Sequence, residues 1–254
     1  MASKINTSVS VIVPVFNEVA QIVENLDLLT SEIEDVFSDF EILVVSDGSS
    51  DGTNLAVFQF QYPGLHLLVN ERNLGKGAAI RAGFQRAKGD LIFFIDGGME
   101  LHPRELRIFA GLQELYGADM VIGSKRHPQS QIDYPWFRKI LSRIYQKLIK
   151  TMFNVNATDT QVGIKLFRRE VIQAILPDLK INRYGFDLEL LSLASLRGFT
   201  NILEAPIRMD YFAKNSRSFL WELWHVFKVG LSLFKDTWAL YRRIQSLKEK
   251  ELKK

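Results

Sequence analysis

Gly89-Asp90-Leu91-Ile92-Phe93-Phe94-Ile95-Asp96-Gly97-Gly98-Met99-Glu100 is the stretch that decides the fold. A short apolar run bounded by turn residues reads as a strand buried on both faces, the habit of parallel sheets. Asp96 falls at the carboxyl end of that strand, where open α/β sheets bind ligands. Two further runs end in the same way: Val11-Ile12-Val13-Pro14-Val15-Phe16-Asn17-Glu18 and Glu41-Ile42-Leu43-Val44-Val45-Ser46-Asp47-Gly48-Ser49. Working outward, the pattern predicts strands at 9–13, 41–46, 65–69, 91–95 and 119–123. Between them it predicts helices at 19–36, 52–60, 76–87 and 103–115. This alternation argues for an α/β fold, a mostly parallel sheet wound with helices. Ser50 or Asp51 is expected to cap the second helix, Gly75-Lys76-Gly77 to open the third, and Pro103 to sit in the first turn of the fourth.

Glu18, Asp47 and Asp96 therefore converge on one crevice. Gathering like charges in a partly buried site is unfavourable without a cation or hydrogen-bond donors nearby. A divalent metal carrying a nucleotide diphosphate is the simplest reason for the arrangement.

The chain has 254 residues, 47% hydrophobic and 24% charged, enough for one large α/β domain or a domain with an extension. It has no cysteine, which excludes disulfides, thiol nucleophiles and zinc–cysteine sites and fits a reducing compartment. Met1-Ala2-Ser3-Lys4-Ile5-Asn6 runs into the first strand with no signal- or transit-peptide pattern. The net charge of +3 gathers at Lys125-Arg126, at 138–150 and in the tail. Such clusters suit phosphate or an anionic membrane surface. No nucleic-acid module signature is present, so no nucleic-acid partner is expected.

After residue 124 the rhythm changes. Residues 135–152 read as a basic helix with an apolar face, followed by the polar turn Thr158-Asp159-Thr160-Gln161 and a strand at 162–167. A helix at 186–197 and a strand at 199–206 come next. From Phe219 to Tyr241 the pattern is helical, with Trp221, Trp224, Phe227, Leu231, Phe234, Trp238 and Tyr241 on one stripe. Glu222, Lys228, Lys235 and Asp236 interrupt it, which argues against a transmembrane span. The stripe either packs on the catalytic domain or lies in a membrane interface.

Taken in order, Val11–Glu18, Val45-Ser46-Asp47-Gly48-Ser49-Ser50-Asp51-Gly52-Thr53, Asn73-Leu74-Gly75-Lys76-Gly77 and Phe94-Ile95-Asp96 resemble the landmarks of family 2 (type A fold) inverting glycosyltransferases. Asp159-Thr160-Gln161-Val162-Gly163-Ile164-Lys165-Leu166-Phe167 and Phe186-Asp187-Leu188-Glu189-Leu190-Leu191 are similar to dolichyl-phosphate glucosyltransferases within it. Dolichyl-phosphate mannose synthases and bacterial polyprenyl-phosphate glycosyltransferases are further relatives. The resemblance covers about residues 8–218. It implies a catalytic domain over 1–212, with a nucleotide-sugar half at 8–124 and an acceptor half at 125–212, then an amphipathic helix and basic tail over 213–254.

The resemblance also implies roles. Pro14, Phe16, Glu18 and Asp47 would surround the base and ribose, although Asp47-Gly48-Ser49 also reads as an ordinary turn. Lys76 would reach a phosphate or be a solvated helix residue. Asp96 would hold Mg²⁺ or Mn²⁺. Relatives carry Asp-x-Asp at this point, and here Gly98 replaces the second aspartate. Either Glu100 supplies the missing ligand, or water does, or the metal requirement is weaker, or the site is dead. Lys125 and Arg138 would bind the acceptor phosphate, with Arg126 and Arg143 as further candidates, although such a run is also commonly a solvated basic face. Arg217 would close over the donor diphosphate. Asp159, Gln161 and Asp187 would line the sugar or acceptor pocket, and Glu189 reads as structural.

The implied reaction moves a hexose from UDP-glucose or GDP-mannose to a polyprenyl phosphate. The enzyme would be cytoplasmic, peripheral on the cytoplasmic membrane face, and a small integral membrane protein is a possible partner. Two alternatives stay open. One is a sugar-hydroxyl acceptor with Asp187 as base. The other is a non-catalytic nucleotide-sugar-binding protein.

Overall fold

The computed structural model describes residues 4–132, 136–153, 155–183, 185–209 and 236–250, with the backbone alone at 132 and over 136–144. The first half alternates as its pattern predicts: β1 Val9–Val15, α1 Ile22–Val36, β2 Phe40–Asp47, α2 Thr53–Gln59, β3 Leu65–Asn70, α3 Lys76–Arg86, β4 Leu91–Ile95, α4 Glu105–Tyr116 and β5 Met120–Gly123. The second half comprises β6 Gln131–Ile132, α5 Trp136–Phe153, β7 Ile164–Arg168, α6 Arg169–Ile175, α7 Phe186–Leu196, β8 Ile202–Ala205 and β9 Arg208–Met209. A helical segment covers 236–250.

Seven strands form one sheet in the order β3-β2-β1-β4-β7-β5-β8. The pairs β2–β3, β1–β2, β1–β4 and β5–β8 are parallel, and β7 runs antiparallel to both β4 and β5. The period of two along each strand builds a core on each face. Ile12, Leu43, Val45, Ile92 and Phe94 point to the face covered by α3, α6 and α7. Val11, Val13, Ile42, Val44, Leu91, Phe93 and Ile95 point to the face covered by α1 and α4. Helix α1 meets that face with Ile22, Leu26, Leu29, Ile33 and Val36, buried at three- and four-residue spacing.

Some local expectations shift. Helix α2 has Gly52, not Ser50 or Asp51, at its N-cap position. Asp51 still accepts the Thr53 N–H at 3.0 Å, so its carboxylate serves the same orphan donor from one residue further out. Pro103 lies in the turn that leads into α4, where its carbonyl accepts the Leu106 N–H at 2.9 Å, rather than inside the helix. The strand expected at 162–167 spans Ile164–Arg168, and just before it the Gly163 carbonyl accepts the Asp96 N–H. Helix α6 and the short β6–β9 ladder have no counterpart among the expectations; both are too short to show a period.

Over 236–250 the helical segment packs against α5 and α7. Leu240 and Ile244 are buried, Tyr241 meets Phe153 edge-on at 5.9 Å, and the Tyr145 and Thr237 hydroxyls lie 2.9 Å apart. Arg243 pairs with the fully buried Glu189 at 2.6 Å. Trp238 stays about half exposed with Arg242 above its ring at 5.6 Å. Residues 219–235, including Trp221, Trp224 and Phe227, lie outside the described residues.

Candidate active site

A cleft of about 650 Å³ opens at the carboxyl ends of β1, β2 and β4. Pro14, Phe16 and Glu18 enter it from the end of β1, Asp47 from β2, and Asp96, Gly97, Gly98 and Glu100 from β4. Asn73, Gly75 and Lys76 enter from the start of α3; Gln161, Arg183, Phe186 and Asp187 close the opposite wall. The three carboxylates expected to converge do line one cavity.

Hydrogen bonds from backbone N–H groups to side chains stitch the first two strand ends together. Asn17 adopts a left-handed φ of 54°, donates its N–H to Ser49 Oγ at 3.1 Å, and accepts the Ser50 N–H on its side chain at 2.9 Å. The Glu18 N–H donates to Thr53 Oγ1 at 2.9 Å. This brace leaves Phe16 at the cleft mouth with 45% of its surface exposed, an apolar face ready to stack. Asp47 behaves differently from its neighbours. Its Oδ1 accepts from Asn70 Nδ2 at 2.9 Å and Leu74 N–H at 3.0 Å, and its Oδ2 accepts the Gly75 N–H at 2.7 Å. The carboxylate clamps the loop that delivers Lys76, so it shapes the cleft wall even where no ligand is present. Gly75 has φ 106° and stands where a Cβ would lie 2.4 Å from the Asn182 carbonyl oxygen, so the loop after the 176–178 turn packs directly on it.

Asp96 is placed by a strand far away in sequence. Its N–H donates to the Gly163 carbonyl at 3.0 Å, and a Cβ on Gly163 would lie 2.1 Å from Asp96 Oδ2. Only glycine leaves room for that carboxylate. Lys76 Nζ reaches Asp96 Oδ1 at 2.5 Å, with 38% and 43% of the two side chains exposed. Burial works against the Lys76 ammonium, yet Asp96, Asp187 and Glu100 outweigh it and raise its pKa. Lys76 is thus held charged at the cleft lining, with part of its side chain still open to solvent.

Across the cavity, Lys165 is fully buried and paired with Asp187 at 2.5 Å. Burial drives the Lys165 pKa down, against the pull of Asp187. Glu189, two residues on, serves structure. Its carboxylate accepts the Lys180 N–H at 3.1 Å and the Ile181 N–H at 2.9 Å, in addition to pairing with Arg243.

Of the expected sugar- and acceptor-side residues, Gln161 and Asp187 line this cleft and others do not. Lys125, Arg126 and Asp159 are absent from its lining. Asp159 is buried and accepts the Lys125 N–H at 3.1 Å, with Lys125 Nζ 3.7 Å from the same oxygen. The Arg126 N–H donates to Ser124 Oγ at 3.2 Å. The side chains of Arg138, Lys139 and Arg143, and all of Arg217, lie outside the described residues. Asn73, Arg183 and Lys165 were not expected as site residues. Lys165 carried a readable signal, a lysine inside an apolar strand.

The residues at the cleft suit a hard divalent cation. Met99, at φ 47°, and its N–H bond to the Asp96 carbonyl at 3.0 Å fold 96–100 into a tight turn, and Asp96 and Glu100 both face the cavity. Among the described residues no three acidic or histidine side chains lie close enough together to hold one ion. Two carboxylates at most come from the protein, a number that Mg²⁺ accepts when substrate phosphates and water complete its shell. A Cβ on Gly98 would meet nothing within 4 Å, so the missing second aspartate is not a steric exclusion.

Known proteins agree with this architecture. The chain is 32% identical over 213 residues to a dolichyl-phosphate beta-glucosyltransferase of Trichomonas vaginalis, covering 78% of this chain and 63% of that protein. It is 33% identical over 173 residues to an undecaprenyl-phosphate 4-deoxy-4-formamido-L-arabinose transferase of Aeromonas hydrophila, covering 66% of this chain and 51% of that one. The chain therefore spans about half to two thirds of these relatives' lengths. Its fold matches glucosyl-3-phosphoglycerate synthase of Mycobacterium tuberculosis, solved with Mn²⁺, uridine diphosphate and glucosyl-3-phosphoglycerate, at a TM-score of 0.67 and 20% identity over 92% of this chain and 80% of that one. The profile of glycosyl transferase family 2 matches residues 10–176, and with the type A sheet and its carboxylate-lined cleft now in place, the chain belongs to that family.

Proposed function

We propose that this protein is an inverting glycosyltransferase that moves a hexose from a nucleotide sugar, UDP-glucose or GDP-mannose, to a polyprenyl phosphate. One observation carries the reading: Asp96, paired with the charged Lys76, lines one cleft together with Phe16 and Glu18. That geometry suits a nucleotide on the Phe16–Glu18 wall, a diphosphate beside Asp96 and Lys76, and a hexose toward Gln161 and Asp187. The named activities of the two sequence relatives support the acceptor class.

In the reaction, an oxygen of the acceptor phosphate attacks the anomeric carbon as the bond from that carbon to the nucleoside diphosphate oxygen breaks on the opposite side. The configuration inverts, from an α-linked donor to a β-linked product. The attacking phosphate is already anionic near neutral pH, so no strong general base is needed. Lys76 places a positive charge where the leaving diphosphate gains negative charge, and Asp96 fixes that ammonium in place. Mg²⁺ or Mn²⁺, held by Asp96 and Glu100, would supply further charge stabilisation to the diphosphate. Lys125, Arg126 and Arg138 would receive the lipid phosphate, and Arg217 would close on the donor.

This reading divides the chain into a donor half at 8–124, an acceptor half at 125–212 and a tail at 213–254, with the enzyme held on the cytoplasmic membrane face, alone or beside a small integral membrane protein. Among the described residues no helix is long and apolar enough to cross a membrane. Asp187 in the cleft also suits a sugar-hydroxyl acceptor, for which it would act as base.

The test is a matrix of nucleotide sugars against acceptors with Mg²⁺ or Mn²⁺. Hexose on polyprenyl phosphate but not on free sugars is the expected result, and transfer to free sugars alone would replace it with the second reading. In the same assay Glu100→Ala is expected to weaken metal-dependent turnover about tenfold with the fold intact. Unchanged turnover would remove Glu100 from the site.

A further inference from the structure

We propose that Lys165 is a positioning residue for the donor hexose, holding Asp187 so that the carboxylate presents a fixed edge to the sugar. This deepens the transfer reading and rests on it. Lys165 is completely buried in β7, and its ammonium has three places to send its protons. It donates to the Val162 carbonyl at 2.7 Å and to Asp187 Oδ1 at 2.5 Å, and it sits 5.0 Å from the centre of the Phe94 ring. Burying an ammonium is costly even when it is paired. A methionine of similar length would fill the same space without that cost, so packing alone gives no reason for the charge.

The two oxygen partners give the reason. Val162 precedes Gly163, whose carbonyl holds the Asp96 N–H and whose bare Cα admits the Asp96 carboxylate. Asp187 stands in the first turn of α7, on the far wall. One ammonium therefore ties the segment that holds Asp96 to the start of α7. It also fixes the rotamer of Asp187, because Oδ1 is committed to Lys165 while Asp187 still lines the cavity. Among the described residues no other donor reaches Asp187, so its remaining lone pairs can accept from a group that comes to that edge. Hexose hydroxyls are such donors, and a carboxylate locked in place discriminates among their positions, where a mobile one would not.

The experiment uses the full chain as wild type, Lys165→Met, Asp187→Asn and the double variant. Titration measures binding of UDP, GDP, UDP-glucose and GDP-mannose. Transfer to polyprenyl phosphate gives kcat and KM, and thermal melting reports the fold. Bare-nucleotide affinity is expected to stay within about twofold, while either single variant loses the affinity added by the hexose and about 100-fold in kcat/KM. The double variant removes both charges with side chains of similar size. It is expected to regain the wild-type melting temperature but not the transfer, and it carries the test if Lys165→Met does not fold. Transfer restored along with stability, or a Lys165→Met enzyme with wild-type kcat and KM, would overturn the proposal. A wild type that binds nucleotide sugars without transferring them contradicts the transfer reading alone, and the binding measurements still judge Lys165. A wild type that binds none overturns both.

Discussion

The two walls of the cleft are built in opposite ways. On the donor wall each functional side chain follows its own strand within a few residues: Phe16 and Glu18 after β1, Asp47 closing β2, Asp96 after β4. On the other wall, partners distant in sequence meet because β7 turns back and inserts between β4 and β5. Phe94 then lies opposite Lys165, Asp96 touches Gly163, and Lys165 reaches Asp187 on a helix that comes later still. The donor wall is a property of local motifs. The opposite wall is a property of topology, so each of its side chains depends on a second segment for its position.

That contrast is best broken at the point where the walls join. Asp96→Ala should reduce transfer about 10³-fold with an unchanged melting curve, because it removes the group that orders Lys76 and the diphosphate. Glu189→Ala should act on stability instead, by about 3 kcal/mol in denaturant unfolding. It leaves the Lys180 and Ile181 N–H groups unsatisfied and Arg243 without its carboxylate partner. Gly163→Ala touches no ligand, yet it should cost about 10²-fold in kcat, since its Cβ would displace the Asp96 carboxylate. Equal activity for Gly163→Ala and wild type would show that the donor wall does not depend on its opposite. Phe16→Ala should show the smallest effect, about a tenfold rise in KM for the nucleotide sugar with kcat nearly unchanged, because an exposed ring contributes stacking and little else.

The same contrast explains what the sequence made legible. Strands β1 to β5 follow from apolar runs punctuated by turn residues, and the cleft follows from acidic residues at three strand ends. The clamp made by Asp47 was not legible, because hydrogen bonds from Leu74 and Gly75 to a carboxylate leave no mark on a pattern of apolar residues. The reversed strand was not legible either. Residues 162–167 read as a strand, but periodicity carries no information on direction or on which neighbours a strand will choose. Lys125 and Asp159 were expected as two separate contacts, one to the acceptor phosphate and one to the sugar or acceptor pocket. The structure also ties them to each other, a pairing that only the return of the chain creates. The terminal stripe posed two alternatives; most of it lies outside the described residues, and of the part that does not, Tyr241 packs on Phe153 while Trp238 stays exposed.

The central claim is that an activated sugar lies between these walls with its diphosphate beside Asp96. The most direct measurement is a crystal structure of the chain with Mn²⁺ and a non-hydrolysable UDP-glucose analogue. The account predicts the base on the Phe16–Glu18 side, the diphosphate within contact of Lys76 and the metal on Asp96, and the hexose turned toward Asp187. A sugar nucleotide bound elsewhere, or seated with its diphosphate away from Asp96, would contradict it.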